Sequence, residues 1–231
     1  MGALEQIPLD MQLAQENTFA NFIGGDNGAL IQALTAPADE QHWCVYVWGS
    51  HGAGRTHLLQ AACHLAHTEN LQTAYVPLDL MRDYSPDMLE NLELANVVTL
   101  DNIEAVLHDA AWQEALFHLY NRVHSAGHKL IISAHQAAKQ VDCSLADLQS
   151  RLSAANHYQV QALNDQAKKQ LLQQRATENG LAIEEEVAEF LIRRCPRNVA
   201  DLLATMDTLD RASLVAKRRL TIPFVKQVLG M

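Results

Sequence analysis

The stretch from Cys44 to Gln60, CVYVWGSHGAGRTHLLQ, restricts this 231-residue chain more than any other. A five-residue apolar run, Cys44 to Trp48, opens directly into Gly49-Ser50-His51-Gly52-Ala53-Gly54-Arg55-Thr56, and an apolar-periodic helix follows from His57. Buried strand, glycine-rich turn and helix start, in that order, are the context in which a G-x-x-x-x-G-K-[ST] pattern becomes a phosphate site. The glycines let backbone N–H groups converge without Cβ clashes. The helix N-terminus adds unsatisfied donors and partial positive charge. Thr56 supplies a hydroxyl where a nucleotide-bound Mg²⁺ requires one. Arg55 stands where the pattern has lysine. Lysine is a compact point charge and arginine a longer planar fork, so diphosphate binding is expected to survive while the geometry around a transferring γ-phosphate is not.

The rest of the composition narrows the class. Hydrophobic residues make up 48% and charged residues 19%, as in a globular protein. No apolar run approaches a membrane span and no signal-peptide pattern opens the chain, so a cytoplasmic location is expected. Cys44, Cys63, Cys143 and Cys195 are scattered without a C-x-x-C pair, and Cys44 and Cys63 sit in apolar surroundings, which predicts buried reduced thiols. The net charge of −10 is uneven. Residues 1–163 carry 6 Lys/Arg against 18 Asp/Glu (−12), and residues 164–231 carry 11 against 9 (+2). The larger part repels nucleic acid, so autonomous DNA binding is not expected.

Short apolar runs punctuate the first two thirds of the chain. After the loop helix (about 56–68), Thr73–Pro77, Val97–Leu100, Leu130–Ser133 and His157–Gln161 read as strands, with helical spacing over Ala111–Ser125. Strands alternating with helices predict an α/β fold with a doubly wound, five-stranded parallel sheet. From Asn164 the pattern is helical only. Asn164 is the expected N-cap of 165–178, Asn179-Gly180 its stop, 184–194 a second helix and the stripe Val199, Leu202, Leu203, Met206, Leu209 a third. Thr221 is the expected cap of a last helix with Pro223 in its first turn. The predicted organisation is an extended segment over 1–17, a nucleotide-binding core over 18–162 and a small helical lid over 163–231. That layout resembles an AAA+ module.

Specific motifs extend the likeness. Thr18-Phe19-Ala20-Asn21-Phe22 with Gly25-Asp26-Asn27, and Gly54-Arg55-Thr56-His57-Leu58-Leu59, resemble segments of the DnaA replication initiators. Asp101-Asn102-Ile103-Glu104, Leu119-Tyr120-Asn121-Arg122, Ser150-Arg151-Leu152, Leu209-Asp210-Arg211-Ala212-Ser213 and Leu220-Thr221-Ile222-Pro223-Phe224-Val225-Lys226 look closer to the Hda branch of DnaA-related regulators. The resemblance runs from about Gln6 to Leu229 and implies a chain that ends with the lid, so the DNA-binding domain that follows in DnaA is not expected. It implies a nucleotide, ADP or another nucleoside di- or triphosphate with Mg²⁺, held by Gly49 through His57 with Phe22 and Ile23 alongside. It also implies a peptide for the sliding clamp (the β subunit of DNA polymerase III) near the N-terminus, where Gln6, Ile7, Leu9 and Met11 offer a rim hydrogen bond and apolar anchors. The other implied partner is DnaA, with DNA reached only through the clamp and self-association left open.

Several positions carry or withhold chemistry. Asp101 ends an apolar strand and is expected to hold Mg²⁺ through water together with Thr56. The next residue, where an acid would activate water, is Asn102, which cannot accept a proton. Glu104 could substitute only across a sharp turn; a solvated or salt-bridged role fits it better. The resemblance places nucleotide sensors at Ser133 and, in the lid, at a position occupied by Ala200, with Arg197 one turn earlier as a substitute; His135 stands where an Asp is usual. By spacing alone, Arg151 is an i,i+4 partner of Asp147. By resemblance it is an arginine finger reaching into a neighbouring subunit's nucleotide site. Together these imply a non-autonomous regulator, with weak or absent ATPase activity of its own, that works with the DNA-loaded clamp to stimulate hydrolysis of DnaA-bound ATP and so prevents re-initiation. An autonomous P-loop ATPase or kinase, and a DNA-binding initiator or loader, are the alternatives.

Overall fold

Four largely apolar runs of five or six residues are too short to bury a helix face, and each forms a strand; a fifth strand, Asn156–Gln159 (NHYQ), is polar. The computed structural model describes residues 17–39, 42–195 and 198–231. Its α/β part runs α1 (Gly28–Thr35), β1 (Cys44–Trp48), α2 (Arg55–Thr68), β2 (Thr73–Pro77), α3 (Leu78–Met81), β3 (Val97–Asp101), α4 (Ala110–Ala126), β4 (Lys129–Ala134), α5 (Ala146–Ala154) and β5 (Asn156–Gln159). All strand pairings are parallel and the order is β2-β3-β4-β1-β5, the expected five-stranded sheet. β3 (VVTLD) and β4 (KLIISA) are buried at every position and show no alternation of apolar and polar residues, as strands covered on both faces do; their polar members, Thr99, Asp101, Lys129 and Ser133, are buried with the rest. β5, at the edge, alternates half-buried and exposed residues and starts one residue earlier than its sequence pattern suggests. Leu116, Leu119 and Val123, the inner stripe of α4, share one buried core with Val98, Leu100, Leu130 and Ile132 of the sheet. Asp109 caps α4 by accepting the Ala111 and Trp112 N–H groups, and Gly127 ends it at φ +68°.

The sequence pattern missed α1 and α3 because they are short, and reached α5 only through the i,i+4 spacing of Asp147 and Arg151. α5 buries only Leu148 and Leu152, a single i,i+4 pair that produces no sustained periodicity. α2 starts at Arg55, so the basic residue of the glycine loop is itself helical.

The helical part comprises α6 (Asp165–Glu178), α7 (Glu185–Arg194), α8 (Val199–Ala216) and α9 (Ile222–Leu229). Their core is Leu172, Ala176, Val187, Leu191, Leu202, Met206, Leu209, Phe224 and Val225. Asn164 caps α6 as predicted, accepting the Ala167 N–H at 2.9 Å. Thr221 corrects its expectation: it occupies the N-cap position of α9 but makes no side-chain cap bond, Pro223 lying inside the first turn. Lys169 bridges Glu185 (2.6 Å) and Glu189 (2.9 Å), tying α6 to α7.

Two compact units result, and they are discontinuous in sequence. One contains the described residues up to Phe22 with Ala29–Gly49 and Arg55–Gln159; the other contains Ile23–Gly28, Ser50–Gly54 and Val160–Met231. Asn27 shows why a segment from near the N-terminus belongs with the helices. Its buried amide accepts the Gln161 N–H (2.7 Å) and donates to the Gln161 (3.2 Å) and Gly24 (2.9 Å) carbonyls. Among the described residues no helix is long and apolar enough to cross a membrane. All four cysteines are free thiols, and burial pushes Cys44 up to about 12 and Cys63 to about 11, which makes both unreactive.

Lys129 gives the α/β unit a pH signature. It is 4% exposed, and its ammonium donates to the Ala33 (2.8 Å) and Leu34 (3.0 Å) carbonyls at the C-terminal end of α1 and to the Ala36 carbonyl just beyond it. Burial lowers its pKa from 10.5 to about 8, with Asp39 pulling weakly the other way. Between these values the unfolded chain holds a proton that the folded chain lacks, so this group makes stability rise with pH across that window. In urea titrations from about pH 8 to pH 10, wild type should gain stability relative to Lys129→Met, and below pH 8 the difference should be flat.

Candidate phosphate-binding site

β1 delivers the chain to Gly49, whose N–H is pinned to the Ala134 carbonyl at the end of β4 (3.2 Å). The Ala53 N–H then closes a turn on the Ser50 carbonyl (3.1 Å). Gly52 and Gly54 adopt φ +73° and +97°, the left-handed region that the loop needs and that side chains disfavour. A Cβ on Gly52 would also meet the Ala200 Cβ at 3.1 Å and the Ala200 N at 3.3 Å, tight contacts that add to the backbone strain of a side chain there. His51 is exposed, and Ala53 is half-buried within the turn.

Asp101 organises the core side. The residue is 1% exposed and accepts three hydroxyls: Thr56 at 2.7 Å and Tyr75 at 2.9 Å on Oδ2, and Ser133 on Oδ1. Burial, with Asp101 adding to it, pushes the Tyr75 phenol above its ordinary range, so Tyr75 stays a donor. Ser133 also accepts the Asn102 N–H (2.9 Å). Assigned by resemblance as a sensor, Ser133 is fully buried here, with its hydroxyl committed to the Asp101–Asn102 turn.

Asn102 is left-handed (φ 57°, ψ 56°), and a single 3-10 turn over Ile103–Ala105 follows. That sharp turn brings Glu104 back to the end of β4, where it accepts the His135 N–H at 2.7 Å and pairs with the His135 ring. The third member is Arg55, 6% exposed, whose Nη1 lies 3.9 Å from Glu104 Oε1 and has no hydrogen-bond partner. Burial lowers the basicity of the guanidinium, and the Glu104 and Asp101 charges partly restore it. Glu104 is therefore the salt-bridged residue its spacing suggested, although the chain does make the sharp turn.

The remaining sequence candidates fall in several places. The His57 ring bonds to the Thr18 carbonyl (2.8 Å) and packs against Phe22 with centroids 5.3 Å apart, fastening the preceding segment to α2. Asn17 adds a bond to Gln60 (2.8 Å). Ile23 belongs with the helical unit. Arg197 and the clamp candidates Gln6, Ile7, Leu9 and Met11 lie outside the described residues. Arg151 corrects its simplest expectation: it makes no ion pair with Asp147, and its guanidinium stands 5.7 Å over the Tyr120 ring on the exposed side of α5. Spacing alone could not have shown the Tyr120 contact, nor the roles of Tyr75 and His135, because these partners come from separate strands and loops.

A glycine-rich loop running into a helix whose Thr56 bonds a buried acidic strand end of a parallel sheet, followed in sequence by a helical lid, defines an AAA+ nucleotide-binding fold. The comparisons with known proteins refine the class. Residues 13–159 match the bacterial DnaA ATPase domain, well over half of the chain, and residues 165–229 match the Hda lid domain. The chain belongs to the bacterial DnaA ATPase-domain family and is an Hda-like, DnaA-related AAA+ regulator. Domain III of the Thermotoga maritima replication initiation protein DnaA superposes with a TM-score of 0.80 at 18% identity, over 94% of this chain and 96% of that one. AMPPCP-bound DnaA from Aquifex aeolicus gives 0.72 at 20% identity, over 85% and 65%. The Thermotoga maritima RuvB Holliday junction branch migration motor gives 0.73 at 18%, over 95% and 73%. At such identities the likeness to these structures is one of fold.

The loop geometry is directly testable. Gly52→Ala forces a left-handed backbone on a β-carbon, costing about 1–2 kcal/mol, and crowds Ala200. Chemical denaturation should show a loss of at least that size, whereas Gly28→Ala, whose Cβ would meet nothing within 4 Å, should be near neutral.

Proposed function

We propose that this protein binds a nucleoside diphosphate such as ADP, with Mg²⁺, and acts as a non-autonomous regulator of replication initiation. With the DNA-loaded sliding clamp it would stimulate hydrolysis of ATP bound to DnaA. The observation that carries this reading is Arg151, exposed on α5 and unpaired with Asp147. In a chain built from a DnaA ATPase core and an Hda lid, such an arginine suits a role in trans. A finger of this kind neutralises charge developing on a partner's γ-phosphate, an effect of about a thousandfold or more in rate.

The residues present fit a bound diphosphate and its metal. Gly52 and Gly54 hold the left-handed turns of the loop, α2 begins at Arg55 with its N-terminal donors, and Arg55 Nη1 is without a hydrogen-bond partner. Thr56 and Asp101 already share a hydrogen bond and supply oxygen ligands of the kind Mg²⁺ prefers, directly or through water. The bound ion would neutralise phosphate charge. This chain's own residues would cradle the phosphates and fix the metal-side oxygens. They supply no general base at Asn102, and Glu104 is committed to His135 and Arg55.

The turn that brings Glu104 beside Arg55 favours one other reading, autonomous hydrolysis with Glu104 as base. Turnover by the purified protein separates the two: negligible ATP hydrolysis is expected, and fast turnover would sink the regulatory reading.

Arg151→Ala should fold within about 1 kcal/mol of wild type, because an exposed arginine contact is weak, and bind nucleotide normally. It should nevertheless abolish stimulation of DnaA in the presence of loaded clamp. Arg151→Lys keeps the charge without the planar fork and should be only partly active. Normal stimulation by both variants would move the mechanism elsewhere. Gln6→Ala with Leu9→Ala should remove clamp binding, read by surface binding, while nucleotide affinity stays unchanged.

A further inference from the structure

Arg55 and Glu104 form an ion pair that is left open. The Arg55 side chain is 7% exposed, yet its closest carboxylate oxygen is 3.9 Å away, beyond hydrogen-bonding distance. Arg55 Nη1 and Glu104 Oε2 are each buried without a hydrogen-bond partner. Arginine and carboxylate normally close into a bidentate fork. Here Glu104 is held back, its Oε1 fixed by the His135 N–H and the His135 ring, and the left-handed Asn102 and the 3-10 turn set its backbone position. A buried cation thus keeps an unused donor while a fixed negative charge stands beside it.

We propose that Glu104, held by His135, is the specificity-determining residue that makes this phosphate site select a nucleoside diphosphate over a triphosphate. The inference rests on the nucleotide reading above and adds the physical origin of the preference. The unused Arg55 donor can take a phosphate oxygen. The neighbouring carboxylate taxes every further negative charge brought to the same guanidinium. Two like charges about 6 Å apart at an effective dielectric near 20 repel strongly enough to change affinity by about tenfold or more. A diphosphate meets that repulsion with less charge than a triphosphate does. Glu104 also neutralises Arg55, weakening the one side-chain cation of the loop as an anchor for a third phosphate.

The test compares dissociation constants for ADP and ATP, each with Mg²⁺, by calorimetry on the full chain. Wild type should prefer ADP. Glu104→Gln keeps the shape and an acceptor for the His135 N–H but removes the charge, so it should tighten ATP about tenfold and ADP less, shifting the ratio toward ATP. His135→Ala, which loosens Glu104 without removing it, should shift the ratio in the same direction by less. Glu114→Gln removes an exposed carboxylate on α4 (side chain 74% exposed) and should leave the ratio unchanged. Thermal unfolding with saturating ADP verifies that each variant retains the fold. An unaltered ratio in folded Glu104→Gln and His135→Ala overturns the assignment while nucleotide binding stands. Binding of neither nucleotide by wild type overturns the nucleotide reading, and this inference with it.

Discussion

A carboxylate at 1% exposure carries a large desolvation cost unless it is hydrogen-bonded, and Asp101 meets that condition with three hydroxyls drawn from three different elements. Thr56 comes from α2, Tyr75 from β2 and Ser133 from β4, so one side chain at the end of β3 ties together the strands and helix that surround the loop. The Asn102 N–H bond to Ser133 then passes the constraint on to the next turn. Truncating the Asp101 side chain would leave the Tyr75 and Ser133 hydroxyls without this acceptor, which is why the residue constrains the fold.

That anchored turn determines where the site's charges sit. Because Asn102 is left-handed, Glu104 points back toward β4 instead of out to solvent, and His135 catches it there. Arg55, the first residue of α2, then shares its surroundings with Glu104. A phosphate loop is ordinarily electropositive. Here a resident carboxylate offsets its one cationic side chain. That offset is what the proposed diphosphate preference rests on.

The helical unit contributes by different physics. Its stability comes from the apolar stripe of α6 to α9, and its association with Ser50–Gly54 and Ile23–Gly28 depends on small residues and backbone bonds: Gly52 against Ala200, and Asn27 on Gln161. The match to a DnaA ATPase domain over 13–159 and an Hda lid over 165–229 follows the same division between sheet-based and helical parts.

Much of this was legible in the sequence. The strand–loop–helix unit at 44–60, the buried runs of β3 and β4, Asn164 as a cap and the stripe of α8 are local patterns, and local patterns follow from chain geometry and apolar periodicity. α1 and α3 were not legible, because eight residues or fewer with two or three buried positions carry too little periodicity. Nor were the contacts that define the site. Tyr75 and Ser133 reach Asp101 across the sheet, and His135 reaches Glu104 across a left-handed turn. Arg151 turns from its sequence neighbour Asp147 to Tyr120 on another helix. The sequence by itself determined which residues could be strands, loop and lid, since burial and backbone freedom are properties of neighbouring residues. Only the tertiary structure decided which charges meet, because that depends on the order in which the sheet places the ends of its strands.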